Sequence, residues 1–436
     1  MKPYQVLQFQ RHFFSLNLLF LFLIPVAWSL LTSTPPQRAH SFRTTRNSAL
    51  QDSSSCLQLH HLCRQERFCW QTSTTPEDAC ICHEATITDL SALKAPPDPS
   101  LNSKDDFFRS FRATIPVKLQ YALRDSGLLR LLVDILVFWG VPSLLQAYPT
   151  AWRDFMAFSG RSPSTTNENN IQFQSVRYGK HRSQRMDLIQ SGEPVENTRR
   201  KKWVVFVHGG AWGSGFPLLY RLVANSFVSQ GYEVAIVGYR TYPDSVVDGQ
   251  IDDIMQALEY LQRTDKEDER NDSMLDMTLI GHSSGAHICM LGILQSKIQG
   301  IQRFIGISGV YDIPRHYQFE SKRGVERISP LAPVCGGNLS QWKQNSPSLQ
   351  KSNSPTTRKK LPPIFLIHGE FDSTVPYTSS VGLYHSLIQQ QQIRGNENQD
   401  HLVDLKILKG VEHSETIFHL MFGGETRDVL LKWIKN

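Results

Sequence analysis

The chain has 436 residues, 40% hydrophobic and 20% charged, with a formal net charge of +6. That balance supports a sizeable folded core and excludes a mostly disordered or fibrous chain. A mean hydropathy of -0.31 excludes a polytopic membrane protein, and the mild positive excess, without a Lys/Arg block interleaved with aromatics, implies no nucleic-acid partner.

The amino end reads as an address. Lys2, Arg11 and His12 precede an apolar stretch from Phe13 to Leu31, and Ala27-Trp28-Ser29 offers a small-x-small cleavage site. Residues 1–29 are expected to form a signal peptide, or a signal anchor left uncut, because the stretch approaches the length of a bilayer span. Either form leads into the secretory pathway, to the endoplasmic reticulum and endomembranes. Five Lys/Arg and no acidic residue precede Asp52. The Ser/Thr/Arg-rich residues 30–51 therefore also fit the second half of a two-part plastid address, with Ala39-His40-Ser41-Phe42 as a second processing site. Cys56, Cys63, Cys69, Cys80 and Cys82 fall within 27 residues. They read as a disulfide-tied or poorly ordered segment. A metal site with His60, His61 or His83 is the alternative, but the spacing matches no zinc pattern. Residues 30–104 are thus expected to be a targeting and Cys-rich linker.

From Asp105 the pattern changes. Phe107, Phe108, Phe111, Leu119, Leu123 and the run Leu128–Leu145 predict two or three apolar helices over residues 105–160. Arg130 and Asp134, four apart, pair on one helix face and make that run a poor membrane span. The helices could pack on the main domain, cap an active site, or lie in a membrane interface. Trp139, Tyr148 and Trp152 supply anchors of the interfacial kind. Residues 160–170 are a linker.

Beyond residue 171, strands alternate with helices. Short runs rich in Val, Ile and Phe predict strands at 173–178, 185–189, 203–208, 233–239, 277–281, 303–308, 363–368 and 403–408. Helical periods predict helices at 218–229, 247–262, 284–295, 380–391 and 426–434. This alternation predicts an α/β domain over 171–436, with an eight-stranded, mostly parallel sheet covered on both faces. The first two strands lie close enough in sequence to be antiparallel neighbours at one edge.

Gly281-His282-Ser283-Ser284-Gly285 joins the strand Met277–Ile280 to a helix. G-x-S-x-G alone is a weak signal; the strand-turn-helix context strengthens it. A free serine hydroxyl needs a base within reach, and the base needs an orienting acid. His413, in a loop after the last strand, is the candidate base ahead of His401 and His368. Asp372, just past the strand at 364–367, is the candidate acid ahead of Glu370 and Asp404. The chain order Ser283, Asp372, His413 is the one such a sheet requires. His208-Gly209-Gly210-Ala211-Trp212-Gly213 follows another strand. The N–H groups of Gly210, Ala211 and Ser284 are candidate oxyanion donors. His208 reads as a holder of its loop rather than a base. Trp212 is a candidate wall of the acyl pocket or, equally, a core aromatic.

These residues resemble the α/β-hydrolase esterases and lipases whose oxyanion loop reads His-Gly-Gly. Tyr178-Gly179 with Arg185-Met186-Asp187-Leu188 is similar to the opening hairpin of that group. Tyr239-Arg240-Thr241-Tyr242-Pro243 with Asp252-Asp253 is similar to its Tyr-Arg-x-x-Pro…Asp stretch. Further motifs resemble the isoprenylcysteine methylesterases: His208–Gly213, Gly285-Ala286-His287, Ser308-Gly309-Val310-Tyr311-Asp312, Arg323-Gly324-Val325 and Ser329-Pro330. His282 departs from the Gln usual there, and the amino end diverges. The resemblance implies a serine carboxylic-ester hydrolase, membrane-associated, acting through an acyl-enzyme on the carboxyl methyl ester of a prenylated cysteine. It implies no metal or organic cofactor. An arylformamidase or a lipid or feruloyl-type esterase of the same fold is the alternative.

Overall fold

The computed structural model describes residues 103–134, 171–191, 202–266, 275–350, 361–393 and 403–435. The expectations for the leader, the cysteine cluster, the linker at 160–170 and the aromatic anchors Trp139, Tyr148 and Trp152 lie outside the described residues.

Two helices open the described chain, α1 (Ser103–Thr114) and α2 (Val117–Asp125), followed by a helical segment at 128–134. Pro116 stands at the N-cap of α2, and Gly127, in the left-handed region, separates α2 from the segment that follows. The strands are β1 (Ile171–Arg177), β2 (Arg185–Ser191), β3 (Lys202–Val207), β4 (Glu233–Val237), β5 (Asp276–His282), β6 (Arg303–Ile307), β7 (Ile364–Gly369) and β8 (Val403–Leu408). They form one eight-stranded sheet in the order β1-β2-β4-β3-β5-β6-β7-β8. β1 and β2 are an antiparallel hairpin, with Phe173 opposite Ile189. β2 joins β4 antiparallel, and β3 to β8 are all parallel. The α/β class, the strand count and the edge hairpin are those that the sequence pattern predicts.

The central strands are apolar on both sides because both faces are covered. In β3, Val205 and Val207 face one core and Val204 and Phe206 the other, as a two-residue period requires. The first core packs on α3 (Val247–Lys266), α4 (Ser284–Leu294) and α6 (Thr378–Ile393). The second packs on a 3₁₀ turn (Pro217–Ala224), α7 (Glu415–Phe422) and α8 (Glu425–Lys435). Each Val, Ile or Phe side chain fully buried here contributes about 1.5–3 kcal/mol. Helix α4 is buried from Ser284 through Ile293 and shows no amphipathic stripe, as befits a helix enclosed on all sides.

Several elements differ from expectation, among them α7 and the short helices Leu331–Val334 and Leu339–Gln344, which the sequence pattern does not predict. The stretch 218–229 is a 3₁₀ turn that passes into a short α-helix (Asn225–Val228) rather than one α-helix. Tertiary contacts hold it: Tyr220 stacks on His208, and Arg221 pairs with Asp187 at 2.7 Å. Helix α5 (Ile313–Arg323) was not expected, because its sequence is polar nearly throughout. Its ends are nonetheless well marked. Asp312 accepts the Arg315 N–H at 3.0 Å as N-cap, and Gly324 closes the helix at φ +80.

The amino-terminal helices pack on the sheet domain. Asp105, buried on α1, pairs with Arg323 of α5 at 3.0 Å. Arg112 pairs with buried Glu326 at 2.9 Å. Tyr242, in the loop after β4, donates to Asp125 at 2.6 Å. Arg130 donates to Asp244 of the same loop at 2.8 Å. Among the described residues, no helix is long and apolar enough to cross a membrane.

Glu320 of α5 is buried beside this junction. Its Oε1 accepts from Ser329 Oγ at 2.8 Å and lies 3.6 Å from His316 Nε2. Burial raises its pKa from 4.5 to about 7, opposed by the Ser329 bond and by Arg323 and reinforced by Glu326. Between those two values the folded chain holds a proton that the unfolded chain has released. Stability contributed by this group therefore falls as pH rises through that window. Glu320→Gln is expected to remove the fall, leaving the variant more stable than wild type at pH 8 by on the order of 2 kcal/mol, with little difference at pH 4. Urea denaturation of both proteins at the two pH values checks this.

Candidate active site

The carboxyl ends of the parallel strands converge on Ser283. The residue sits between β5 and α4 with φ 54 and ψ -121, a conformation that costs a non-glycine residue about 1–3 kcal/mol. The surroundings hold it there. The Ser283 N–H donates to Ile307 O at 2.8 Å, and the first turn of α4 closes through His287 N–H to Ser283 O at 3.1 Å. The flanking glycines permit the bend. A Cβ on Gly281 would stand 2.6 Å from Ala286 Cα, and one on Gly285 would overlap the carbonyls of Val207 and His208.

His413 lies in the loop between β8 and α7, with Nε2 3.1 Å from Ser283 Oγ. Its Nδ1–H donates to Asp372 Oδ2 at 2.6 Å. That bond leaves Nε2 as the acceptor for the serine hydroxyl. Asp372, in the turn after β7, is fully buried. Its Oδ1 accepts the N–H groups of Thr374 at 2.9 Å and Val375 at 2.7 Å. His368 Nε2 lies 3.2 Å from Oδ2. Burial alone would raise the pKa of this carboxyl. The charge of His413 and the hydrogen bonds from His368 and His413 outweigh burial and hold it far below the ordinary carboxylate range.

The rival residues lie elsewhere. Glu370 Oε2 accepts the Gly410 N–H at 3.0 Å, and Asp404 accepts from Leu405 N–H within β8. His401 is outside the described residues. His368 is enclosed inside β7: Nε2 donates to Val375 O at 2.8 Å, and Nδ1 accepts from Ser380 Oγ at 2.7 Å. In the sequence, His368 stands only as a rival base. It is instead a second neighbour of the Asp372 carboxylate, a place that only tertiary structure reveals. His282 lies with its ring 4.9 Å from that of His413. Burial and the His413 charge hold its pKa well below the ordinary histidine value.

The His-Gly-Gly loop follows β3. The N–H groups of Gly213 and Ser214 both donate to Gly210 O, at 3.0 and 2.9 Å. Those turn bonds do not use the N–H groups of Gly210 and Ala211. Gly210 turns at φ +131, and Ala211 follows at φ 49. Across the gap, Ser284 begins α4, where an N–H has no partner within the helix and the dipole favours negative charge. His208 is stacked between Tyr220 and Tyr239, with ring centroids 5.4 and 4.5 Å away, and its Nδ1–H donates to Gly209 O at 2.7 Å. Burial lowers its pKa to about 4, so the ring is neutral and serves the loop.

Trp212 is only 1% exposed and packs in the first core, where the core-aromatic alternative places it. Its Nε1–H donates to His287 Nδ1 at 3.0 Å, and His287 Nε2–H donates to Asn345 O at 2.7 Å. Burial also lowers the His287 pKa to about 4, which keeps Nδ1 free to accept. The motif acid of the Tyr-Arg-x-x-Pro stretch is Asp253, not Asp252. Asp253 is buried and accepts from Gln184 Nε2, Arg240 N–H and the Arg240 guanidinium at 2.7, 2.8 and 2.6 Å. It ties the β1–β2 hairpin to the end of β4.

A parallel sheet in this order, feeding a serine into a left-handed turn ahead of a buried helix, is an α/β-hydrolase fold. The BD-FAE family model matches residues 189–387, a span that contains Ser283 and Asp372 and ends before His413. The chain is similar to esterases in sequence. It is 28% identical over 235 residues to a probable isoprenylcysteine alpha-carbonyl methylesterase of Oryza sativa subsp. japonica, covering 49% of this chain and 52% of that one. It is 27% identical over 221 residues to the isoprenylcysteine alpha-carbonyl methylesterase of Arabidopsis thaliana, covering 47% and 50%. The chain thus spans about half the length of these relatives. Among solved structures, it is similar to esterase B of Lactobacillus rhamnosis, at 19% identity and a TM-score of 0.48, over 69% of this chain and 94% of that one.

Trp212→Phe keeps most of the apolar volume and deletes the donor to His287. It is expected to cost about 1–3 kcal/mol of stability, because a buried acceptor loses its partner. The KM for a short-chain p-nitrophenyl ester should stay within about twofold of wild type, since a core residue supplies little to differential substrate binding. Urea denaturation and steady-state kinetics read the two effects separately.

Proposed function

We propose that the chain is a serine carboxylic-ester hydrolase that works through Ser283, His413 and Asp372. One observation carries the reading: His413 Nε2 is 3.1 Å from Ser283 Oγ while its Nδ1 is 2.6 Å from a buried carboxylate. In this mechanism His413 takes the Ser283 proton as Oγ attacks the ester carbonyl. The oxyanion that forms is met by the N–H groups of Gly210, Ala211 and Ser284. Protonated His413, steadied by Asp372, then gives its proton to the departing alcohol. Water repeats the sequence on the acyl-enzyme and releases the acid. Each oxyanion donor of this kind is worth about 3 kcal/mol in the transition state.

The substrate we assign is the carboxyl methyl ester of a prenylated cysteine, with methanol as the leaving alcohol. The support is the similarity to the plant isoprenylcysteine methylesterases together with the motifs over residues 171–436. A lipidated substrate goes with membrane association through residues 105–158, for which Leu119, Tyr121, Leu128 and Leu131, exposed on the amino-terminal helices, are support. Delivery through the leader at residues 1–29 is part of the same proposal.

A fluorophosphonate probe is expected to label the wild type and not Ser283→Ala. Labelling is expected to be competed most strongly by a prenylcysteine methyl ester, and less by N-formylkynurenine, a feruloyl ester or a long-chain lipid ester. Equal labelling of Ser283→Ala would falsify the nucleophile assignment. Stronger competition by another substrate would reassign the acyl group.

A further inference from the structure

One side chain joins the helices before the catalytic domain to the oxyanion loop. Asp134, at the end of the segment 128–134, accepts the Gly215 N–H through Oδ1 at 3.0 Å. Gly215 closes the loop that opens at His208. It turns at φ +95, and a Cβ there would stand 2.7 Å from both Gly209 O and His208 Nδ1. Gly215 therefore lies directly against the Gly209 carbonyl. The peptide plane that carries Gly209 O also carries the Gly210 N–H, because a peptide unit is rigid. Whatever holds Gly215 thus sets the direction of an oxyanion donor.

Asp134 is itself anchored away from that loop. Arg130, one turn earlier, lies 3.8 Å from Asp134 Oδ2 and donates to Asp244 Oδ2 at 2.8 Å. Upstream, Asp125 accepts from Tyr242, and α1 is pinned to α5 through Asp105 and Arg323. The chain from 103 to 134 is a strap with its own attachments on the catalytic domain, and its last described side chain reaches the oxyanion loop.

We propose that Asp134 is a positioning residue for the oxyanion loop: by holding Gly215 it sets the Gly209–Gly210 peptide plane for the transition state. Residues 103–134 are then a working part of the active site rather than a leader to it. The proposal deepens the hydrolase reading and rests on it. A displacement of about 1 Å near the reacting atoms costs on the order of a hundredfold in rate, so partial loosening of this hold is readable.

The test uses the full chain with Asp134→Ala and Asp134→Asn. Four quantities are measured: amide hydrogen exchange across residues 208–215, kcat and KM for a p-nitrophenyl ester, and the thermal melting point that reports folding. Asp134→Ala is expected to speed exchange at Gly215 and to lower kcat, each by about tenfold or more, with KM within about twofold. Asp134→Asn, whose amide oxygen still accepts a hydrogen bond, is expected to restore both. If Asp134→Ala does not fold, Asp134→Glu takes its place. It keeps the charge, displaces the acceptor by one methylene, and is expected to show the same two changes at smaller size. Wild-type exchange and kcat in a folded variant would overturn the proposal. Faster exchange with unchanged kcat would overturn it too, since the hold would then be structural only. A wild type inert to every ester and to the fluorophosphonate would count against the hydrolase reading, while exchange at Gly215 would still decide whether Asp134 holds the loop.

Discussion

The Asp372 carboxylate is a buried anion, and the carboxyl edge of the sheet is arranged around keeping it charged. Left alone in that position it would take up a proton. Two backbone N–H groups on Oδ1 and two imidazoles at Oδ2 prevent this. Their effect reaches well past the residue itself. An ionised Asp372 fixes which nitrogen of His413 carries the proton, and that choice leaves the other nitrogen facing Ser283. The serine, in turn, stands where it does only because β5, β6 and α4 crowd a left-handed turn into place. Each step converts packing into the protonation state of the next group.

Neutral histidines do the complementary work. His208 and His287 are buried, uncharged, and locked by opposite hydrogen-bond patterns: one donates through Nδ1 to Gly209 O, the other accepts through Nδ1 from Trp212. Neither is placed for proton transfer to the serine. Both hold the His-Gly-Gly loop, one from within and one from helix α4. Desolvation, which would be a liability for a charged group, is what makes them dependable struts.

Much of this was legible in the sequence, for reasons that can be named. The turn at Ser283 was readable because strand, turn and helix are contiguous there. Asp372 and His413 were readable because each directly follows a strand of a parallel sheet, so their edge was known before their contacts were. The rest depended on non-local geometry. His368 looks like any strand residue until β7 and the turn after it place its Nε2 beside Asp372. Trp212 could not be assigned to core or pocket without its partner 75 positions away. Helix α5 is hidden for another reason: an Asp N-cap, an early Pro and a closing Gly mark its ends, but its mostly polar sequence carries little of the apolar periodicity by which a helix is read. The contact from Asp134 to Gly215 crosses 81 positions, and nothing in the local pattern of either residue announces it.

Ser283 and His413 are 130 positions apart, and β8 lies between Asp372 and His413. During synthesis the ribosome delivers the serine and its strained turn long before the imidazole. A chain interrupted anywhere short of β8 lacks the imidazole that stands beside the Ser283 hydroxyl in the folded protein. The contact between Ser283 and His413 thus forms only after β8 has been made and has carried the imidazole to the edge of the sheet.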